Sequence, residues 1–416
     1  MNFLLILMLF MAVFNFYIPN IGPALYISVF VSSICLFFQV NKVIEDKNTI
    51  LYALRRYFLF FIAPFLFLIF IISIRTITTG GVDPSYVFLM IKYLIFCILT
   101  LLIPLAIFYS KSKCKDIFIF RKYIYIVAAI QSAIIIIAVL FPSFGEIVKS
   151  FQSNDSNSSS LVSEGLRGIA LSSMQYYGLA CFYCLVLVFM ANDFVNKKIS
   201  IRNTSILLML LSISAIFVSR TSLLGVLIFW VYLLNPLAGF SKRRTYFLLL
   251  VFSLFFVCTL LLALLLAPEK MMVITEKVLP WAFEFIYRYQ ENGSISTAST
   301  DQLSQMYFPL SESTLIFGDG RYAGVSQGAY YLDTDAGYMR PTLFSGVGLL
   351  IAMFLTWFFW LKKIASTEKN KCYFIFLSML SLLLQYKGEF IVTNYIVLIV
   401  ISMQLFFSLL ARQVDL

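Results

Sequence analysis

The 416-residue chain contains no histidine. That absence removes imidazole acid–base chemistry and imidazole metal ligation. Charge is also scarce: 12% of residues are charged and 61% are apolar, with a mean hydropathy of +0.92. Soluble globular chains are about 25% charged and about 45–50% apolar. The imbalance excludes a soluble enzyme, a disordered protein and a nucleic-acid-binding domain. Cysteine is sparse. Most of the seven lie in apolar runs and none falls between 267 and 341, so no disulfide framework is expected there. Cys181 and Cys184 form a CxxC, but inside an apolar run, where a packing role is the ordinary reading. The N-terminus lacks a basic segment and a small-residue cleavage site, so it reads as a retained span and not a signal peptide.

What the chain has is apolar runs. A membrane-spanning helix needs about 20 mainly apolar residues. Runs of this kind occur at 2–18, 22–40, 57–74, 87–109, 123–142, 168–191, 204–219, 222–236, 245–266, 343–361, 372–386 and 390–411. They predict an all-α polytopic integral membrane protein with about 12 spans in a single transmembrane domain over 1–416. The seventh and eighth runs are short and are separated only by Arg220 and Thr221, which predicts a tight turn at a membrane surface. The formal net charge of +11 is then tested against the bias of Lys and Arg toward inner loops. With the N-terminus inside, twenty of the 31 basic residues fall in the short inner loops and the C-terminal tail. Both termini are therefore expected in the cytoplasm, and the charge reports orientation more than a polyanionic partner.

The longest inner loop, 41–56, is too short for a nucleotide-binding unit of about 30 residues. An ATP-driven pump and a cytosolic transferase domain are excluded. The elaborated segments face outward: 143–167, with a polar stretch from Gln152 to Ser160, and 267–341, between the ninth and tenth spans. No internal repeat is visible. The larger loop opens with Val273–Tyr289, apolar and aromatic at helical spacing and interrupted by Pro280, which reads as a surface helix. A second short helix is expected near Thr300.

Candidate chemistry lies on the outer side. Arg167 and Arg220 each stand at the outer end of a span, where two readings are open. They reach lipid headgroups, or they hold a pyrophosphate through the guanidinium fork. Arg288 has a local ion pair with Glu284, four residues away, as its alternative. Arg321 lies among glycines at 318, 320, 324 and 328. It is either a phosphate contact beside backbone amides or a solvated residue of a turn-rich loop. Asp333 and Asp335, just before the tenth span, are either inert surface acids or a general base toward a hydroxyl. Lys92, inside the fourth span, is a candidate by its position.

These features resemble the O-antigen polymerases (Wzy type) of the O-antigen polymerase/ligase superfamily. Arg167 and Gly178, in RGIALSSMQYYG, have ten residues between them, as in a motif of some members. Ser219-Arg220-Thr221 looks like the superfamily's Ser-Arg element. Phe317-Gly318-Asp319-Gly320, Asp335-Ala336-Gly337-Tyr338 and Gly346-Val347-Gly348 look like its run from the large loop into the membrane. The resemblance implies a GT-C-like, metal-independent glycosyltransferase of the bacterial inner membrane with no cofactor. It would pass a growing glycan en bloc from undecaprenyl pyrophosphate to a new lipid-linked repeat unit, alongside a flippase and a chain-length regulator. Arg167, Arg220 and Asp335 would be catalytic. Arg288, Arg321, Asp333, Tyr338, Arg340 and Gly178 would form the substrate site, with Trp281, Tyr330, Tyr331 and Tyr338 as a sugar platform. Two departures stand out. No glycine follows Arg288, Arg321 or Arg340 at the motif spacing, and the ligases' loop histidine is absent, which favours polymerisation over ligation. A lipid-linked oligosaccharide flippase and a ligase are the alternatives.

Overall fold

The computed structural model describes residues 2–110, 116–152, 167–236, 242–266, 272–324, 329–368 and 370–413. Among these, the only paired strands are two residues each, Tyr17–Ile18 against Gly22–Pro23. A helix lies on each apolar run: α1 (Asn2–Phe14), α2 (Ala24–Phe37), α3 (Lys47–Thr78), α4 (Ser85–Ser110), α5 (Ile117–Leu140), α6 (Tyr177–Val195), α7 (Ile201–Val218), α8 (Arg220–Leu234), α9 (Lys242–Leu266), α10 (Met339–Ala365), α11 (Cys372–Lys387) and α12 (Tyr395–Gln413). Seven helices among the described residues (α3 to α7, α10 and α12) are long and apolar enough to cross a membrane. The protein is an all-α membrane protein.

Local sequence explains the irregularities. Pro64 has no amide to donate to the Phe60 carbonyl. A π-turn forms over Phe58–Ile62, and the indole N–H of Trp360 donates to that carbonyl at 2.9 Å. Pro104 likewise has no amide for the Thr100 carbonyl, which accepts instead from the Ile103 amide at 3.1 Å, and α4 breaks at Thr100–Leu101. Ser219 ends α7, and its hydroxyl caps α8 by accepting from the Thr221 amide at 3.3 Å. The break is thus a single residue, which places Arg220 inside the first turn of α8 and not in a connecting turn. Gly346 adopts φ +70° inside α10, a region glycine tolerates. The carbonyls of Leu343 and Phe344, freed by this break, accept from the amides of Asp319 (2.6 Å) and Gly320 (3.0 Å). The loop glycines and the helix glycines therefore meet, and a Cβ on Gly346 would lie 2.1 Å from the Ile316 carbonyl oxygen.

The chain divides into two compact units. The first comprises 1–32, 118–297 and 370–376. Its centre is α6, 94% buried, which packs against α7 and α8. The second comprises 33–117, 298–369 and 377–416, centred on α12, also 94% buried, against α3, α4 and α10.

Several sequence expectations are corrected. The sixth span begins at Tyr177 and not at 168. The small polar residues before it bond sideways: Ser173 donates its amide to Phe14, and Gln152 donates to the carbonyls of Gly168 and Ala170. The surface helix of the large loop breaks at Phe283. Pro280 is accommodated behind a π-turn at Ile274–Val278, and a new helix runs from Glu284 to Asn292. The expected short helix is Ala298–Gln305. Arg121, which the orientation reading places in the inner loop 110–122, is wholly buried in α5. It pairs with Asp193 at 2.8 Å, while Tyr125 donates to the other carboxylate oxygen at 2.5 Å. Lys92 lies on the exposed side of α4 over Phe96, away from the packed core. Residues 153–160 of the polar stretch and Gly328 lie outside the described residues.

Candidate functional site

Three of the candidate arginines converge in the first unit. Arg167 precedes the irregular 168–176 segment, Arg220 sits in the first turn of α8, and Arg288 projects from the Glu284–Asn292 helix. The Arg167 and Arg220 guanidiniums lie 4.7 and 4.8 Å from the centre of the Trp281 ring. Arg167 also covers Tyr176 at 4.8 Å. Cation–π contacts of this kind contribute about 0.5–2 kcal/mol each. Two cations sharing one indole repel each other, and Glu284 offsets this. Its Oε2 lies 2.6 Å from Arg220 Nη2, and its Oε1 lies 2.9 Å from Arg288 Nε. The local pair predicted for Arg288 is therefore present, but Glu284 is shared with Arg220.

Arg220 and Arg288 thus share Glu284, while Arg167 lies over the Tyr176 and Trp281 rings. Burial lowers the Arg167 pKa from its usual value. Tyr176 opposes this lowering and Arg220 adds to it. Buried guanidinium nitrogens without a hydrogen-bond partner remain, namely Arg167 Nε and Arg220 Nε and Nη1. Unsatisfied buried donors cost free energy, and here they are carried by cations. An anion with several oxygens answers both the charge and the unused donors. Gly178 shapes the approach: a Cβ there would lie 2.6 Å from the Met174 Cβ. Its absence lets the segment after Arg167 fold onto the start of α6.

The second unit holds the other candidates. Arg321 is exposed, 5.9 Å from the Tyr331 ring. It lines an open cleft of about 710 Å³ together with Tyr330, Tyr331 and Asp333. Asp333 is exposed, and both it and Leu332 have φ +53°. Asp335 is exposed as well, yet the protein on its remaining sides raises its carboxyl pKa, against the pull of Arg340 and Lys387. Tyr338 is a structural residue: its hydroxyl donates to the Leu382 carbonyl at 2.9 Å, and its ring stacks on Phe354. Its hydroxyl is thus engaged within the fold. Arg340 is engaged as well. It is clamped between the Tyr322 and Tyr330 rings, at 3.9 and 4.1 Å, and ion-paired to Glu389 at 2.5 Å.

Sequence reasoning missed Glu389, which stands at the end of an apolar run. In a chain with only 20 acids, that placement was the available signal. It also missed Asp83, whose Oδ2 accepts the amides of Tyr322 (2.6 Å) and Ala323 (2.7 Å). Burial would raise the Asp83 pKa, but bonds from the Ser85 hydroxyl and from the Ala323, Tyr322 and Ser85 amides outweigh it, and the net shift is downward. Among the described residues, no group of three or more potential ligands is placed to hold a metal ion. In comparisons with known proteins, no family model, no curated protein and no solved structure matches the chain.

Proposed function

We propose that the chain is a surface-polysaccharide polymerase of the O-antigen polymerase type. In this reading it crosses the inner membrane about twelve times in a GT-C-like arrangement. Both termini are cytoplasmic and the arginines face outward. The observation that carries the proposal is the gathering of Arg167 and Arg220 on Trp281, with Arg288 joined to Arg220 through Glu284 and with buried guanidinium nitrogens of Arg167 and Arg220 left without a hydrogen-bond partner.

The donor glycan is held through its undecaprenyl pyrophosphate. The acceptor hydroxyl of a new lipid-linked repeat unit attacks the anomeric carbon. The bond from that carbon to the pyrophosphate oxygen breaks, and its electron pair leaves on the pyrophosphate. Arg167 and Arg220 stabilise the charge that develops there. Asp335 takes the hydroxyl proton, and its raised pKa suits a base. A chain-length regulator and a flippase are the expected partners.

The test is complementation of a polymerase-deficient strain that makes the cognate repeat unit, scored as a ladder of chain lengths on a gel. Wild type restores the ladder. Arg167→Ala and Arg220→Ala leave single repeats. A normal ladder from both variants ends the leaving-group assignment. A null strain with no attached repeat replaces the polymerase reading with flippase or ligase.

A further inference from the structure

A pair of cations with no part in the reaction above lies in the second unit, where α3 and α10 pack together. Arg56 stands where the apolar part of α3 begins, and Lys363 stands near the end of α10. Both therefore mark the same edge of the apolar layer. They meet on one ring. The Arg56 guanidinium lies 5.8 Å from the centre of the Phe60 ring and Lys363 Nζ lies 4.1 Å from it. The ring is fixed by the backbone beneath it. The carbonyl of Phe60, left free by Pro64, accepts from the Trp360 indole at 2.9 Å, and the Phe61 ring stacks on that indole at 4.3 Å. A π-turn of the kind that runs over Phe58–Ile62 is found frequently at functional sites.

Neither cation is neutralised. Arg56 Nε donates to the Tyr52 hydroxyl at 3.1 Å, and Lys363 also lies 5.3 Å from the Phe359 ring. Among the described residues neither makes an ion pair. Two like charges gathered on one ring repel each other, and an anion placed between them reverses the sign of that interaction. The surface below the cations is apolar. Lys363, Phe359, Leu355 and Ile351 follow one another at intervals of four, so they share one side of α10. The three apolar members are 36, 67 and 52% exposed. The strip runs from the cations along the helix into the apolar layer. A phosphate above and a hydrocarbon chain below match this sequence of groups, and basic pockets between spanning helices bind anionic lipid headgroups.

We propose that Arg56 and Lys363, gathered by Phe60, form a binding site for the phosphate of an anionic phospholipid, with an acyl chain lying along Phe359, Leu355 and Ile351. With the N-terminus in the cytoplasm, the lipid belongs to the inner leaflet. The site is separate from the arginines of the first unit and stands whether or not the chain polymerises a glycan.

The test is native mass spectrometry of the full chain in detergent, with equal amounts of phosphatidylglycerol and phosphatidylethanolamine carrying the same acyl chains. Wild type retains phosphatidylglycerol in preference by about tenfold or more. Arg56→Gln and Lys363→Gln each lower the preference about fivefold, and the double variant loses it. The control is Arg55→Gln with Lys362→Gln, which removes the same charge from the same helices one residue away. It keeps the wild-type preference. Equal retention of the two lipids by wild type overturns the site. So does a control that loses as much as the Arg56→Gln, Lys363→Gln protein, because the attraction then belongs to the basic surface as a whole. Glycerol phosphate, which carries the phosphate without acyl chains, leaves no adduct at the same concentration. Its retention by wild type overturns the lipid as the source of the phosphate.

Discussion

Glu284 occupies the place among the arginines that an anionic ligand would take, so its removal has a defined sign. Glu284→Gln preserves shape and deletes one negative charge, making the cluster more positive by one unit. The carboxylate now engages Arg220 at 2.6 Å and Arg288 at 2.9 Å while only 19% exposed. An incoming pyrophosphate competes for the same donors. At a separation of about 6 Å and an effective dielectric constant of about 20–80, each ligand charge is repelled by about 0.7–3 kcal/mol. Some of the relief is offset because the arginines lose a partner that orders them. A net gain of about 1–2 kcal/mol corresponds to binding about 5–30-fold tighter. The assay is titration of inorganic pyrophosphate into detergent-purified wild type and Glu284→Gln at low salt. The gain shrinks toward about 1 M salt, where the screening length falls to about 3 Å. Unchanged or weaker binding by a folded Glu284→Gln protein refutes the anion-site reasoning.

Other predictions follow from single contacts. Asp193→Asn leaves Arg121 charged and buried without its carboxylate, and lowers stability by about 3–5 kcal/mol. Denaturant unfolding measures this, and a loss below about 1 kcal/mol contradicts it. Asp335 binds its proton more tightly in the folded state, so its stability contribution is full at low pH and is lost as pH rises through the raised value. As the proposed base it must be ionised, so activity falls as pH drops through that value. Asp335→Asn abolishes activity and flattens the stability profile, and an unchanged rate–pH curve removes the assignment.

The large helices were legible because a spanning segment must satisfy its own backbone and stay apolar for its full length. Composition and run length therefore determined the all-α membrane class and the approximate position of each helix. Their ends were less legible. The start of α6 and the break at Phe283 depend on where Ser173, Gln152 and Pro280 find hydrogen-bond partners, and hydropathy does not encode this. Arg167, Arg220 and Arg288 could be singled out one at a time, because a cation at the outer edge of a span is unusual. Their gathering, Arg167 and Arg220 on Trp281 and Arg288 on the Glu284 it shares with Arg220, joins positions up to 121 apart in the sequence, and only packing creates it. The same holds for Glu389, which shows no spacing relation to Arg340 or Tyr322, and for Tyr338, whose hydroxyl finds the Leu382 carbonyl. Sequence by itself fixed the solvent this chain requires and which residues are costly to place there. The tertiary structure decided which of those costs are met by an internal partner, as for Arg340, and which are met only in part, as for Arg220, which pairs with Glu284 yet keeps two buried nitrogens without a hydrogen-bond partner. The physical reason is that periodicity is a local property, whereas the neutralisation of a charge depends on whatever the fold brings within a few ångströms.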